Sequence, residues 1–166
     1  MIINPAHYFL KRYHSPDLKA KELKRMLNLW FPFLVNRIQI ISIKEDFHEM
    51  QVCLKHSFWN RNPNKSIWGG SITSALDPFF PVMMKQIILR EGIHTEFYSK
   101  AVHVEFLHKV ESHLYFHFKI DDAEVMEAEE KLENSGKYES WHTADGVDDK
   151  GNVCVHGQVQ VYLRRR

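Results

Sequence analysis

One carboxylate stands alone in the longest apolar segment of the chain. Asp77 is the only acid between Trp68 and Arg90. The stretch opens as a polar loop at Asn62, turns through Gly69-Gly70 and then runs apolar to Leu89. A carboxylate beside an apolar groove can take a proton from water or attack a carbonyl carbon itself, and burial would raise its pKa and make it a better base. A helix starting at the glycines would present the N–H groups of Gly70 and Ser71 to an oxyanion, with close approach possible because glycine lacks a Cβ. Asp77-Pro78 is equally a plain helix start, with Asp as cap and Pro in the first position; on local sequence alone that reading comes first. Trp68 reads first as a core plug and second as the wall of a channel.

The elements that hold this stretch are legible on either side of it. Ser15-Pro16-Asp17 has the composition of a helix start. Leu23, Met26, Leu27 and Trp30 continue it at helical spacing, and Pro32 is expected to end it. A short earlier helix is placed around Ala6–Tyr13. From Arg37 the period changes to that of strands. Ile38–Ile43 and Phe47–His56 form an expected hairpin about Lys44-Glu45-Asp46, and Ala101–Leu107 with His113–Ile120 a second one. Asp121–Asn134 reads as a helix with a capping-box offset at Glu124, a Glu127–Lys131 pair and a glycine stop at Gly136. Tyr138–Val147 and Val153–Leu163 make the last hairpin.

If the helix continued from Ser71 past Asp77, Pro78 and Pro81 could not donate to the carbonyls of Ser74 and Asp77, and the helix would bend beside the acid. If the second hairpin paired with its residue numbers summing to a constant, His103 would face His117 and Glu105 would face Tyr115. Such a cluster lacks a third well-placed ligand, so it reads as an ordinary polar sheet face and no metal is expected.

The chain has 166 residues and a net charge of +1, enough for one domain with a true core. Residues 1–30 carry six cations against two acids, and residues 121–133 seven acids against Lys131. Both read as solvated helix faces, the basic one packing over an edge of the main domain. Cys53 and Cys154 lie in strand-like runs and are expected to be reduced. No apolar run approaches the roughly 18 residues of a membrane span, and no signal-peptide pattern opens the chain, so a cytoplasmic protein is expected. There is no phosphate loop, dinucleotide fingerprint or nucleophile elbow, and no nucleic-acid partner is expected.

The order of elements, together with Asn62-x6-Gly69-Gly70-x6-Asp77, resembles the hot-dog fold thioesterases, in particular the phenylacetate-pathway type and a branch known only as a domain of unknown function. Ala75-Leu76-Asp77 and Val104–Val110 are similar to phrases of that family, and Trp68 stands where its histidine precedes Gly-Gly. The resemblance implies an α+β hot-dog domain over residues 33–166, an antiparallel six-stranded sheet wrapped around a long central helix, behind a helical extension over 1–32. It implies hydrolysis of acyl thioesters with Asp77 and Asn62 as catalytic residues and Gly69, Gly70, Ser71, Trp68 and Ser74 about the substrate. Coenzyme A would enter only as part of that substrate, and the site would lie between subunits of a homodimer or a dimer of dimers. Asn62 reads evenly as a group orienting water or the thioester carbonyl and as a plain turn residue. Arg61, Lys65 and Arg164–Arg166 could meet coenzyme A phosphates, although a solvated tail is the commoner fate of terminal arginines. A non-catalytic acyl- or lipid-binding hot-dog dimer is the second reading.

Overall fold

The computed structural model describes residues 11–166. Two short helices, α1 (Ala20–Asn28) and α2 (Phe31–Asn36), precede the hairpin β1 (Ile38–Ile43) and β2 (Glu49–Leu54). A loop with one 3-10 turn (Phe58–Asn60) leads into α3 (Gly69–Ser74) and α4 (Phe79–Arg90). Then follow β3 (Thr95–Phe106), β4 (Leu114–Lys119), α5 (Asp122–Ser135), β5 (Lys137–Asp148) and β6 (Val153–Arg165). All six strands form one antiparallel sheet in the order β1-β2-β4-β5-β6-β3. This is the expected hot-dog architecture.

Helix α4 is apolar around its circumference apart from Lys85, Gln86 and Arg90, a pattern tolerable only when every side is covered. Every residue from Phe79 to Leu89 is buried. Ile72, Leu76, Met83, Met84, Ile87 and Ile88 join the core as expected. Phe79 and Phe80 meet Phe118 of β4 at ring separations of 4.9 and 5.1 Å, and Phe33 of α2 reaches Phe79 at 5.5 Å. The sheet supplies the other wall by alternation: in β4, Leu114, Phe116 and Phe118 point inward, and in β6 Val155, Val159, Val161 and Leu163 do. Both cysteines are buried and free. Among the described residues no helix is long and apolar enough to cross a membrane.

Several local expectations hold in detail. Glu124 accepts the Asp121 N–H at 2.7 Å, Lys131 pairs with Glu127 at 2.6 Å, and Gly136 closes α5 with φ of +72°, a conformation that costs glycine nothing. The basic helix α1 covers the outer edge of β1. There the Asn28 side chain donates to the Ile40 carbonyl and accepts the Ile40 N–H at 2.7 Å, standing in for a neighbouring strand.

Four expectations are corrected. Ser15-Pro16-Asp17 forms a turn, not a helix start. The Ser15 hydroxyl is held by Arg12 at 3.2 Å, and α1 begins at Ala20, where the Glu22 carboxylate accepts the Lys19 N–H at 3.0 Å. Pro32 does not end that helix but sits in the first turn of α2, where its missing N–H costs nothing. β3 and β4 do not pair. β3 runs beside β6 over eleven residue pairs, while the six-residue β4 lies between β2 and β5. His103 therefore faces Gln158, Glu105 faces His156, and His117 faces Gln51. Arg164 and Arg165 are not a free tail but the last residues of β6. The early helix around Ala6–Tyr13 lies mostly outside the described residues, with only Lys11–Tyr13 inside and helical.

Candidate active site

The glycine turn does open a helix, but a short one. α3 ends at Ser74, and α4 begins only at Phe79. Asp77 occupies the break between them, its N–H donating to the Thr73 carbonyl at 3.0 Å. Pro78 and Pro81 are the physical cause, since neither can donate to the turn before it. The Asp77 carbonyl, which Pro81 cannot serve, instead accepts the hydroxyl of Ser99 on β3. That bond fixes the break against the outermost strand of the sheet. The carboxylate itself is exposed, so this chain alone does not supply the burial that would raise its basicity.

The other expected residues are largely occupied with local structure. The Asn62 side chain donates to the Ser66 hydroxyl at 2.8 Å and accepts the Ser66 N–H at 3.2 Å, closing its own loop. The Ser71 hydroxyl donates to the Asn36 side-chain oxygen at 2.8 Å, and the Ser71 N–H is already committed to the Trp68 carbonyl at 3.0 Å. Ser74 back-bonds to the Gly70 carbonyl at 2.8 Å. The N–H groups of Gly69 and Gly70 donate to no acceptor among the described residues. They are the free donors of this turn.

Trp68 is not a core plug. It is 58% exposed, and its indole folds back over Gly70, where an added Cβ would lie 2.4 Å from the ring. Gly69 lies under Phe106 in the same manner, and a Cβ added there would stand 3.2 Å from that ring. A cleft of about 360 Å³ lies beside this turn, lined in part by Asn62, Gly69, Ile72, Phe106 and Lys109. Asp77 is not among its lining residues. One chain thus brings Asn62 and Gly69 to one cleft and presents Asp77 elsewhere, at the β3 side.

The residue that organises the loop is one that local pattern did not single out. Asn60 is buried; its oxygen accepts the N–H and hydroxyl of Ser57, and its nitrogen donates to the carbonyls of Asn36 and Lys55 at 3.1 and 2.9 Å. Ser57 and Lys55 are near it in sequence, but Asn36 is 24 residues away, so only the fold reveals that it ties the loop to α2. Among the described residues no three His, Cys, Asp or Glu side chains gather as a metal site.

The family described as a domain of unknown function, DUF4442, matches residues 20–163. No curated protein matches the sequence. Among solved structures, a protein of unknown function from Pseudomonas aeruginosa described as a probable thioesterase superposes with a TM-score of 0.72 at 14% identity, covering 88% of this chain and 96% of its own. A protein of unknown function from Chlorobaculum tepidum gives 0.71 at 17% identity, covering 93% and 99%. The PaaI protein of the Escherichia coli phenylacetic acid degradation operon gives 0.60 at 15% identity, covering 98% and 96%. At these identities the likeness establishes the shared hot-dog fold.

Proposed function

The chain belongs to the DUF4442 family and has the hot-dog fold, and on that premise we propose that it hydrolyses acyl thioesters, with the Asp77 carboxylate activating water or attacking the carbonyl carbon. The observation that carries this reading is the position of Asp77. It is an exposed carboxylate at a helix break, tied through Ser99 to a strand with one free edge. A second copy pairing along β3 would cover that edge and bury Asp77, raising its basicity. It would also deepen the groove, because two sheets meeting enclose what one leaves open. In that homodimer, or a dimer of such dimers, Asn62 and the free N–H groups of Gly69 and Gly70 of one protomer face Asp77 of its partner. The glycine donors receive the oxyanion, Asn62 orients the water or carbonyl, and Ser71 and Ser74 hold the turn in shape. Arg61 and Lys65, exposed on the same loop, suit the phosphates of a coenzyme A carrier in the cytoplasm.

The second reading, an acyl-thioester-binding dimer without turnover, is favoured by one feature: the Trp68 indole covers Gly70 in place of the histidine of the family pattern. A panel of short, long and aryl acyl-CoA substrates separates the two. Hydrolysis is expected in the native chain and absent in Asp77→Asn, which keeps shape and capping ability. Turnover retained in Asp77→Asn at an unchanged melting temperature would discard the catalytic assignment. Binding without hydrolysis by the native chain would establish the second reading.

A further inference from the structure

The end of the sheet where β1 begins and β2 ends carries an apolar surface that the described residues leave uncovered. Leu29, just after α1, and Phe31, the first residue of α2, are 75% and 73% exposed, and Phe58 and Trp59 of the 3-10 turn are 79% and 80% exposed. Leu34 and Val35 of α2 are also exposed. Two hydrogen bonds stitch the segments into one surface: Asn60 to the Asn36 carbonyl at 3.1 Å and the Lys55 N–H to the Arg37 carbonyl at 3.0 Å. Large rings and aliphatic side chains held in water at this density mark an interaction site.

The two segments that carry these rings hold charge of one sign. Neither residues 23–44 nor residues 50–76 contain an acid, and together they carry seven cations. Two of these are spent: Lys24 donates to the Ile41 carbonyl, and Lys44 pairs with Glu49 at the opposite end of β1. Arg37, Lys55 and Arg61 make no ion pair among the described residues, and Arg61 lies over the Phe58 ring at 5.9 Å. Aromatic rings flanked by unpaired cations complement a surface whose outer layer is anionic and whose next layer is hydrocarbon. A second copy of the chain is the poorer match, because it would bring the same cations against one another, and because the free β3 edge lies across the sheet from β1.

We propose that this face docks the protein on an anionic membrane surface, with Phe31 and Trp59 entering the headgroup boundary and Arg37, Lys55 and Arg61 meeting lipid phosphates. The protein lies on the bilayer and does not span it. The inference stands apart from the hydrolase reading, sharing with it only Arg61, which that reading sets against coenzyme A phosphates.

The test is flotation of the full chain with vesicles of phosphatidylcholine alone and of phosphatidylcholine with about one third phosphatidylserine. The native chain is expected to float with the anionic vesicles, to do so less as salt is raised, and to show blue-shifted tryptophan emission when bound. Phe31→Ser combined with Trp59→Ser should weaken binding by about tenfold or more, with an unchanged melting temperature because both side chains are exposed. Arg37→Glu combined with Arg61→Glu should remove the preference for phosphatidylserine. No flotation of the native chain would overturn the proposal. So would binding that both variants leave intact. A fall in solution mass in the aromatic variant, without vesicle binding by the native chain, would assign the face to contact between copies instead.

Discussion

Leu76 packs directly on the backbone of Gly157. A Cβ at that glycine would lie 2.6 Å from a Leu76 methyl and 3.2 Å from the Ala144 carbonyl oxygen. Leu76 is fully buried and precedes Asp77, so this contact sets the depth of the helix break against β6. Gly157→Ala should destabilise the fold by about 1–3 kcal/mol through overpacking, read as a lower urea midpoint. Gly70→Ala is the contrasting case. Its new methyl would meet only the far end of the exposed Trp68 ring, which can swing aside, so the expected cost is below about 1 kcal/mol, with a change in tryptophan emission.

Asn60 and Asn62 should separate in the same way. Asn60→Ala removes a buried amide and strips half-buried partners of their hydrogen bonds, and should cost about 1–3 kcal/mol. Asn62→Ala breaks only a local loop closure with Ser66 and should cost less than about 1 kcal/mol. A loss of thioester hydrolysis in Asn62→Ala at near-native stability would then report on chemistry, not folding.

His142 of β5 gives the fold an acid-sensitive point. It is buried, stacked on Phe80 at 5.0 Å, and burial lowers its pKa from 6.5 despite the opposing pull of Glu124. Its Nδ1 stands 3.0 Å from the Glu124 carboxylate, yet without hydrogen-bond alignment, so both ring nitrogens lack a bonded partner among the described residues. Below the unfolded pKa the unfolded chain binds the extra proton. Stability from this group is therefore full above about pH 6.5 and falls as pH drops from there toward the folded pKa. Denaturant midpoints at about pH 7.5 and about pH 5.5 should differ in that direction, and His142→Leu should reduce the difference.

Lys85 is the alkaline counterpart. Its ammonium is buried in α4, donates to the Tyr13 carbonyl at 2.7 Å and lies 4.5 Å above the Tyr13 ring. Burial, with Arg166 adding repulsion, pushes its pKa from 10.5 down to about 8. Between these values the unfolded chain holds the extra proton, so this group makes stability climb as pH rises from about 8 toward 10.5. Lys85→Met should remove that climb. At about pH 7 it should leave stability within about 1 kcal/mol of native or above it, since Gln86 still donates to the same carbonyl.

Strand and helix periods were legible wherever one face is buried, as in β4, β6 and α5. Partner choice was not. Val102, Val104 and Phe106 alternate as any strand does, and nothing in that alternation says that β3 will pass over β4 to lie beside β6. The match of a twelve-residue strand to a thirteen-residue one is a long-range fact. At the site, the position of Asp77 followed from Pro78 and Pro81, whose chemistry is local. The commitment of Ser71 to Asn36 and of Asp77 to Ser99 joins residues that no short window contains. Trp68 was misplaced inward because an apolar residue before an apolar helix is ordinarily buried, and here the ring finds Gly70 first.

The strand order also dictates a sequence of events in folding. β6 is hydrogen-bonded on both sides, to β5 and to β3, and it is the last of the six to be synthesised. Until it emerges, β3 has no partner on either edge, although β1, β2 and β4 can already pair. The closure of β3 on β6, from Phe106 to Val155, is thus made last during synthesis, although that of β2 on β4, from Leu54 to Leu114, encloses more of the chain. A nascent chain stalled before Val153 would hold a twelve-residue strand open to aggregation.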